Sequence, residues 1–223
     1  MRDCYEKGKC NLSDTIGSKI ADILLGVGAL KISVENPFRY ASGLLSPIYC
    51  DNRMILSHPQ DREVVTKEFE RKVSRYQVEA IAGTATAGIP HAAWLAHELK
   101  LPMFYVRGEN KGHGKQQKIE GGSVEGKKVV LIEDLVTTGG SSIAALKSLR
   151  TAGADLCCCL SIFSYAFPEP LLEFKRLDVP FEALGTFEDL ITLLAESGDL
   201  TPFELDELRK WHSNPSQWKS STG

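Results

Sequence analysis

An apolar run, Val129-Val130-Leu131-Ile132, ends in two adjacent acids, Glu133 and Asp134. Leu135 and Val136 follow, and then a short stretch of hydroxyl and glycine residues, Thr137-Thr138-Gly139-Gly140-Ser141, leads into an amphipathic segment. Read as strand, loop and helix, the arrangement carries two kinds of chemistry. Glycines let the backbone approach a ligand closely, and the N–H groups at a helix start receive phosphate, with the Thr and Ser hydroxyls as further donors. Carboxylates are out of place beside a phosphate but are good acceptors for sugar hydroxyls. A phosphorylated ribose satisfies both halves. An ordinary strand–turn–helix with Thr138 or Ser141 as the cap explains the hydroxyls, but not an acid pair at the strand end. No Lys follows the glycines, which excludes a Walker A loop, and no G-x-G-x-x-G pattern stands here.

Two further stretches bear on anions. Arg107 closes a strand-like run, and residues 108–120 behind it hold Lys111, His113, Lys115 and Lys118, interleaved with Gly108, Gly112 and Gly114. In isolation this is a solvated loop. In a chain of net charge −3 it is also a dense group of cations, as a departing pyrophosphate requires when negative charge develops on it. Gly83-Thr84-Ala85-Thr86-Ala87-Gly88-Ile89-Pro90 is a small-residue loop at another strand end. Its local sequence reads equally well as a plain strand–helix turn.

The elements that must position these residues follow from periodicity. Residues 11–28 predict an amphipathic helix capped by Ser13, with Ile16, Ile20, Ile23 and Leu24 on its apolar face. A short strand spans 29–34, and residues 38–40 and 47–49 predict an irregular hairpin around Ala41-Ser42-Gly43. A charged helix covers 58–76. From Val78 the rhythm becomes strand 78–83, helix 89–100, strand 103–107, strand 127–135, helix 139–152 and strand 154–165. Helix 170–177, strand 181–186, helix 187–196 and helix 202–211 complete the pattern. Alternating strands and helices predict an α/β fold with a mostly parallel central sheet flanked by helices, which binds ligands at the carboxyl ends of its strands. His91 and His97 are expected as packing or surface residues, Trp94 as core, and Glu68, Glu70, Arg71 and Lys72 as a solvated helix face.

Composition bounds the rest. With 223 residues, 43% hydrophobic and 25% charged, the chain reads as globular, either one large domain over 1–223 or a core plus a small appendage. The net charge argues against generic nucleic-acid binding. No apolar run suggests a signal peptide or a membrane span, so a cytoplasmic setting is expected. The six cysteines form no C-x-x-C pair, and Cys157-Cys158-Cys159 sits in an apolar run that predicts a buried strand rather than a redox site.

The segment 129–141 resembles the binding motif for phosphoribosyl pyrophosphate (PRPP) of the type I phosphoribosyltransferases. In that family two acids hold the ribose 2- and 3-hydroxyls and the following loop wraps the 5-phosphate. The resemblance assigns Glu133 and Asp134 to the first role and Thr137, Thr138, Gly139, Gly140 and Ser141 to the second, with Leu135 and Val136 in the same PRPP-binding segment. Arg107-x-x-x-Lys111-x-His113-Gly114 resembles the catalytic loop of the orotate phosphoribosyltransferases, which closes over the site of the neighbouring subunit. This implies Lys111 as the chief catalytic side chain, with His113 and Arg107 also on the pyrophosphate. Phe38 to Asp51 resembles the family's small N-terminal hood, contributed here mainly by 11–55, and implies orotate contacts from Ser42, Gly43 and Thr137. Thr84, Ala85 and Thr86 correspond to a loop that contacts pyrophosphate.

The resemblance runs from about Ile16 to Glu196. It departs at Ala41 and Ala87, where some members carry Lys, and around Ser164 and Tyr165, where some carry an Arg for the orotate ring. It implies the type I fold, a homodimer with a shared loop, Mg²⁺ bound with PRPP, and transfer of ribose 5-phosphate from PRPP to orotate. Two rivals remain: a purine phosphoribosyltransferase, against which the hood and the Arg107–His113 spacing argue, and a PRPP-sensing RNA-binding regulator, which would require a basic face.

Overall fold

The computed structural model describes residues 15–40, 43–108 and 118–219. The chain divides into two compact units, Met1–His58 with Gly185–Gly223, and Pro59–Leu184.

In the first unit, α1 (Ile16–Gly26) begins one residue after Thr15, whose hydroxyl accepts from the Ser18 amide at 3.2 Å. That cap lies two residues beyond the expected Ser13, which is outside the described residues. Ile20, Ala21, Ile23 and Leu24 are buried, as their helical spacing requires. The strands are short: β1 (Leu30–Ile32), β2 (Phe38–Arg39), β3 (Leu45–Ser46) and β4 (Ile48–Cys50). β2 pairs with β3, whereas β4 pairs antiparallel with β1. The expected hairpin thus closes two residues earlier than its pattern suggested, because Pro47 supplies no ladder N–H and its carbonyl accepts from the Ser33 amide instead. A 3-10 helix follows at Asn52–Ser57.

The second unit holds the site. α2 (Pro59–Val73) precedes β5 (Ala80–Thr84), α3 (Gly88–Leu99), β6 (Met103–Val106), β7 (Ile119–Glu120), β8 (Lys128–Val136), α4 (Gly140–Thr151), β9 (Asp155–Ser164) and α5 (Pro168–Arg176). β10 (Phe181–Thr186) starts here, and α6 (Phe187–Ser197) and α7 (Pro202–Ser213) belong to the first unit. Capping boxes start both of these helices, Thr186 with Asp189 and Thr201 with Glu204.

The described strands order as β10-β9-β8-β5-β6-β7. β5 runs parallel to β6 and β8, and β8 parallel to β9. β7, absent from the periodicity, is two residues paired antiparallel to β6. From β5 the chain moves outward to β6 and then crosses to β8 on the other side of β5. The switch point therefore lies between β5 and β8, where open α/β sheets leave a crevice. β5 is buried along its whole length and β8 through Ile132 and Glu133, as a sheet covered on both faces demands.

Two expectations about side chains need correction. Trp94 is half-buried, with the Arg62 guanidinium 4.7 Å from its ring centroid, because it stands on the flank of α3 rather than on its core stripe. Lys72 is not solvated. Its side chain is 14% exposed and pairs with Glu182 at 2.8 Å. Cys158 and Cys159 are buried on β9, and Cys157 is half-buried.

Candidate active site

β8 ends between its two parallel neighbours and delivers Glu133 and Asp134 to the crevice. Glu133 is only 4% exposed. One of its oxygens, Oε2, accepts from the hydroxyls of Ser141 and Ser142, each at 3.0 Å, and the other, Oε1, accepts from the Asp134 amide at 3.2 Å. No cation is among these donors. Burial is the main reason that its carboxyl is pushed up to about 8, with the adjacent Asp134 adding to the shift and the two serines opposing it. The acid pair therefore resists carrying two full charges. Asp134 is half-buried at the same strand end.

The loop after β8 is anchored from behind. The Val136 carbonyl accepts from the Tyr165 amide and the Ser164 hydroxyl, both at 3.2 Å, which ties the loop's start to the end of β9. Gly139 caps α4 with φ +74 and no side-chain hydrogen bond. A Cβ there would lie 2.8 Å from the Pro170 Cβ, so both the positive φ and the close approach of α5 require glycine. Neither Thr138 nor Ser141 caps the helix. Thr138 is exposed and Ser141 donates to Glu133.

The loop after β5 stands against the same strand end. A Cβ on Gly88 would lie 2.5 Å from the Ile132 carbonyl oxygen and 3.4 Å from the Glu133 Cα. Only a glycine lets α3 start so close to β8, and the parallel register that pairs Gly83 with Ile132 sets Thr84, the start of this loop, level with Glu133 on the neighbouring strand. The Ala85 amide donates to the Val106 carbonyl, and the Ala85–Thr86 peptide is cis. Thr84 is 3% exposed and its hydroxyl has no hydrogen-bond partner among the described residues. At the end of β6, Arg107 Nη1 donates to Glu120 Oε1 at 3.2 Å.

These pieces surround a cavity of about 390 Å³, lined by Thr84, Ala85, Arg107, Lys118, Gly140 and Ser141 among others. A wider groove of about 790 Å³ runs along Lys147, Ser148 and Thr151 of α4. Neither opening is lined by the acids themselves, but the smaller one is lined by Gly140 and by Ser141, which donates to Glu133, whereas the wider one takes none of Thr137 to Ser141, so the smaller cavity is the one that adjoins the chemistry. Thr137 is half-buried on the loop. Lys111, His113, Lys115, Ala41 and Ser42 lie outside the described residues, and Gly43 belongs to the first unit. Among the described residues no three His, Cys, Asp or Glu side chains cluster as metal ligands, and no helix is long and apolar enough to cross a membrane.

Sequence reasoning missed Ser142 and the role of Gly88. Ser142 could have been found: it sits on the buried stripe of α4 with Ala145, Leu146 and Leu149, and a serine at a core position needs a partner.

Comparison with known proteins agrees with this geometry. Residues 52–167 match the family model described as Phosphoribosyl transferase domain. The orotate phosphoribosyltransferase of Staphylococcus saprophyticus is 44% identical over 199 residues, 88% of this chain and 98% of that protein. That of Coxiella burnetii is 40% identical over 204 residues, covering 91% and 98%. The crystal structure of orotate phosphoribosyltransferase from Aeropyrum pernix superposes with a TM-score of 0.70 at 30% identity, over 82% of this chain and 99% of that one. Near-complete coverage of relatives at this identity, together with a matching domain and fold, leads to one conclusion: the chain belongs to the orotate phosphoribosyltransferase family.

Proposed function

We infer that this protein transfers the ribose 5-phosphate of PRPP to a ring nitrogen of orotate in pyrimidine biosynthesis, forming orotidine 5-monophosphate and releasing pyrophosphate. The observation that carries the reading is the β8 strand end, where Glu133, held by two hydroxyls and an amide, and the adjacent Asp134 precede a glycine-rich helix start. Glu133 and Asp134 accept from the ribose hydroxyls. Thr137 to Ser141 receive the 5-phosphate, with Leu135 and Val136 carrying the chain between the two subsites. Thr84, Ala85 and Thr86 face the pyrophosphate, joined by Arg107, Lys111 and His113. Thr137 also meets orotate.

Departure of pyrophosphate leaves positive charge on the ribose, and orotate itself is the nucleophile. The protein's tasks are alignment, neutralisation of the leaving charge and exclusion of water, which would otherwise hydrolyse PRPP. Enzymes of this family use a metal ion, and we take it to be Mg²⁺, which neutralises charge on the pyrophosphate. A site with one acid pair suits an ion that draws most of its ligands from substrate oxygens and water. The proposed setting is the cytoplasm, and the chain is read as a single catalytic domain.

The test is turnover with PRPP and Mg²⁺ against orotate, adenine and hypoxanthine in turn. Activity with orotate alone is expected. Activity with a purine and none with orotate would overturn the reading.

We also take the active form to be a homodimer in which each site receives Lys111 from the neighbouring subunit. Asp134→Asn and Lys111→Ala, each inactive alone, should then rescue one another after mixed refolding, restoring roughly a quarter of the sites. Verified subunit exchange without recovered turnover would rule out sharing.

A further inference from the structure

The hydroxyl of Ser142 is spent on a functional carboxylate. Ser142 is fully buried, and its Oγ donates to Glu133 Oε2 at 3.0 Å. Ser141 donates to the same oxygen, also at 3.0 Å. The two hydroxyls saturate Oε2 and leave Oε1 on the side of the Asp134 amide. Ser141 is exposed at the surface of the first turn of α4 and lines the cavity, whereas Ser142 faces the core beneath it. An exposed hydroxyl can rotate toward a bound phosphate. A buried one that leaves the carboxylate weakens the satisfaction of two buried groups at once.

We propose that Ser142 is a positioning residue that locks the Glu133 carboxylate, through Oε2, in the orientation that turns Oε1 toward the ribose hydroxyls of PRPP. The proposal rests on the reading that Glu133 meets those hydroxyls. The lock matters because the donors that hold Glu133 are neutral, and a carboxylate turned partway about its terminal torsion would lose its serine donors and aim neither oxygen at the ribose hydroxyls. A side chain left without this anchor samples other rotations, and the cost falls on ribose binding rather than on orotate.

The experiment is steady-state kinetics on Ser142→Ala, Ser142→Thr and Glu133→Ala, and on the double variant Ser142→Ala/Glu133→Ala, with melting temperature recorded for each. Loss of one hydrogen bond to an acidic group predicts a rise of about 10-fold in KM for PRPP in Ser142→Ala. KM for orotate should stay within about 2-fold, since uniform damage to the fold would move both constants. Ser142→Thr keeps the hydroxyl and should restore KM for PRPP to within about 3-fold of wild type. If its extra methyl proves destabilising, Ser142→Cys, with only a weak donor, should behave like alanine. In the Glu133→Ala background, Ser142→Ala should change KM for PRPP by less than about 2-fold, because the group through which it acts is gone.

An undiminished effect of Ser142→Ala in that background would overturn the proposal, as would equal rises in both Michaelis constants. A Glu133→Ala protein with normal KM for PRPP would instead sink the assignment of Glu133 to ribose. Normal kinetics in Ser142→Ala beside a damaged Glu133→Ala would reject the role of Ser142 alone.

Discussion

Two glutamates in the Pro59–Leu184 unit, Glu133 on β8 and Glu182 on β10, meet opposite surroundings. Glu182 Oε2 accepts from Lys72 Nζ at 2.8 Å and from Arg75 Nη2 at 2.7 Å, and Tyr76 donates to Oε1 at 3.3 Å. Burial works against its charge, but hydrogen bonds from Arg75 and Lys72 outweigh that and hold the carboxyl at about 2. Glu133, more deeply buried, has serines and an amide as donors, a second acid as its neighbour, and a carboxyl pushed up to about 8. One acid is fully compensated and serves to join α2 to the sheet edge. The other is left undercompensated at a strand end, bonded to the serine that lines the cavity. A buried acid supplied with neutral donors is poised to take hydroxyl donors from a ligand, and perturbed groups of this kind mark functional sites.

The largest expected effect breaks the comparison on the functional side. Asp134→Asn keeps the shape of the strand end and removes an acceptor for the ribose. The variant should fold normally by circular dichroism and lose roughly 100-fold in kcat/KM for PRPP. Near-normal kinetics would remove the acid pair from the mechanism.

Glu182→Gln should do the reverse. It leaves Lys72, 14% exposed, without its partner, and should lower stability by about 1–3 kcal/mol in urea unfolding while both Michaelis constants stay unchanged. Because its folded value lies below the ordinary 4.5, the wild-type contribution is present above pH 4.5 and is lost as pH falls toward 2. The variant's acid limb should be shallower over that window. A loss of activity without a loss of stability would erase the contrast between the two glutamates.

Glu133→Gln sharpens the comparison through the opposite sign. Between pH 4.5 and about 8 the folded chain, before any ligand binds, holds the proton on this residue more tightly than the unfolded chain does. The unfolded state therefore binds fewer protons, and wild-type stability declines as pH rises through the window. Glutamine has no such decline. Its melting temperature should exceed that of wild type by roughly 4 °C or more at pH 9, with the two converging near pH 4.5. Parallel curves would show that Glu133 is ionised in the fold.

The smallest effect concerns a buried polar group with no compensation of either kind among the described residues. His91 is 1% exposed, its ring nitrogens lack hydrogen-bond partners there, and burial lowers its value to about 4. Its neutral form stabilises the fold relative to an unfolded histidine above pH 6.5, and that contribution is lost as pH falls through 4. His91→Leu should gain about 1 kcal/mol at pH 5 and less at pH 8, measured by chemical unfolding. A loss at both values would point to a partner for the imidazole.

The order of strands and helices from Val78 onward, the acids at the end of β8 and the glycine-rich start of α4 were all legible in the sequence. Each is a local pattern: apolar runs mark buried strands, helical spacing marks α4, and small residues mark the loops between them. The two-residue strands β3 and β7 escaped that reading, since two residues carry no period, and β4 chose β1 over the expected partner β2 because pairing depends on which backbone lies alongside. The electrostatic character of the two glutamates was equally out of reach. Lys72 and Arg75 stand 110 and 107 residues from Glu182, so whether that acid is paired depends on the placement of α2 against the sheet. Ser142 lies nine residues from Glu133, yet the two meet only because the chain reverses between β8 and α4. Residue type and spacing determined which groups this protein carries to its strand ends. Their burial and their partners, and hence their charge, were decided only by tertiary structure, because desolvation and hydrogen bonding depend on what surrounds a group in space.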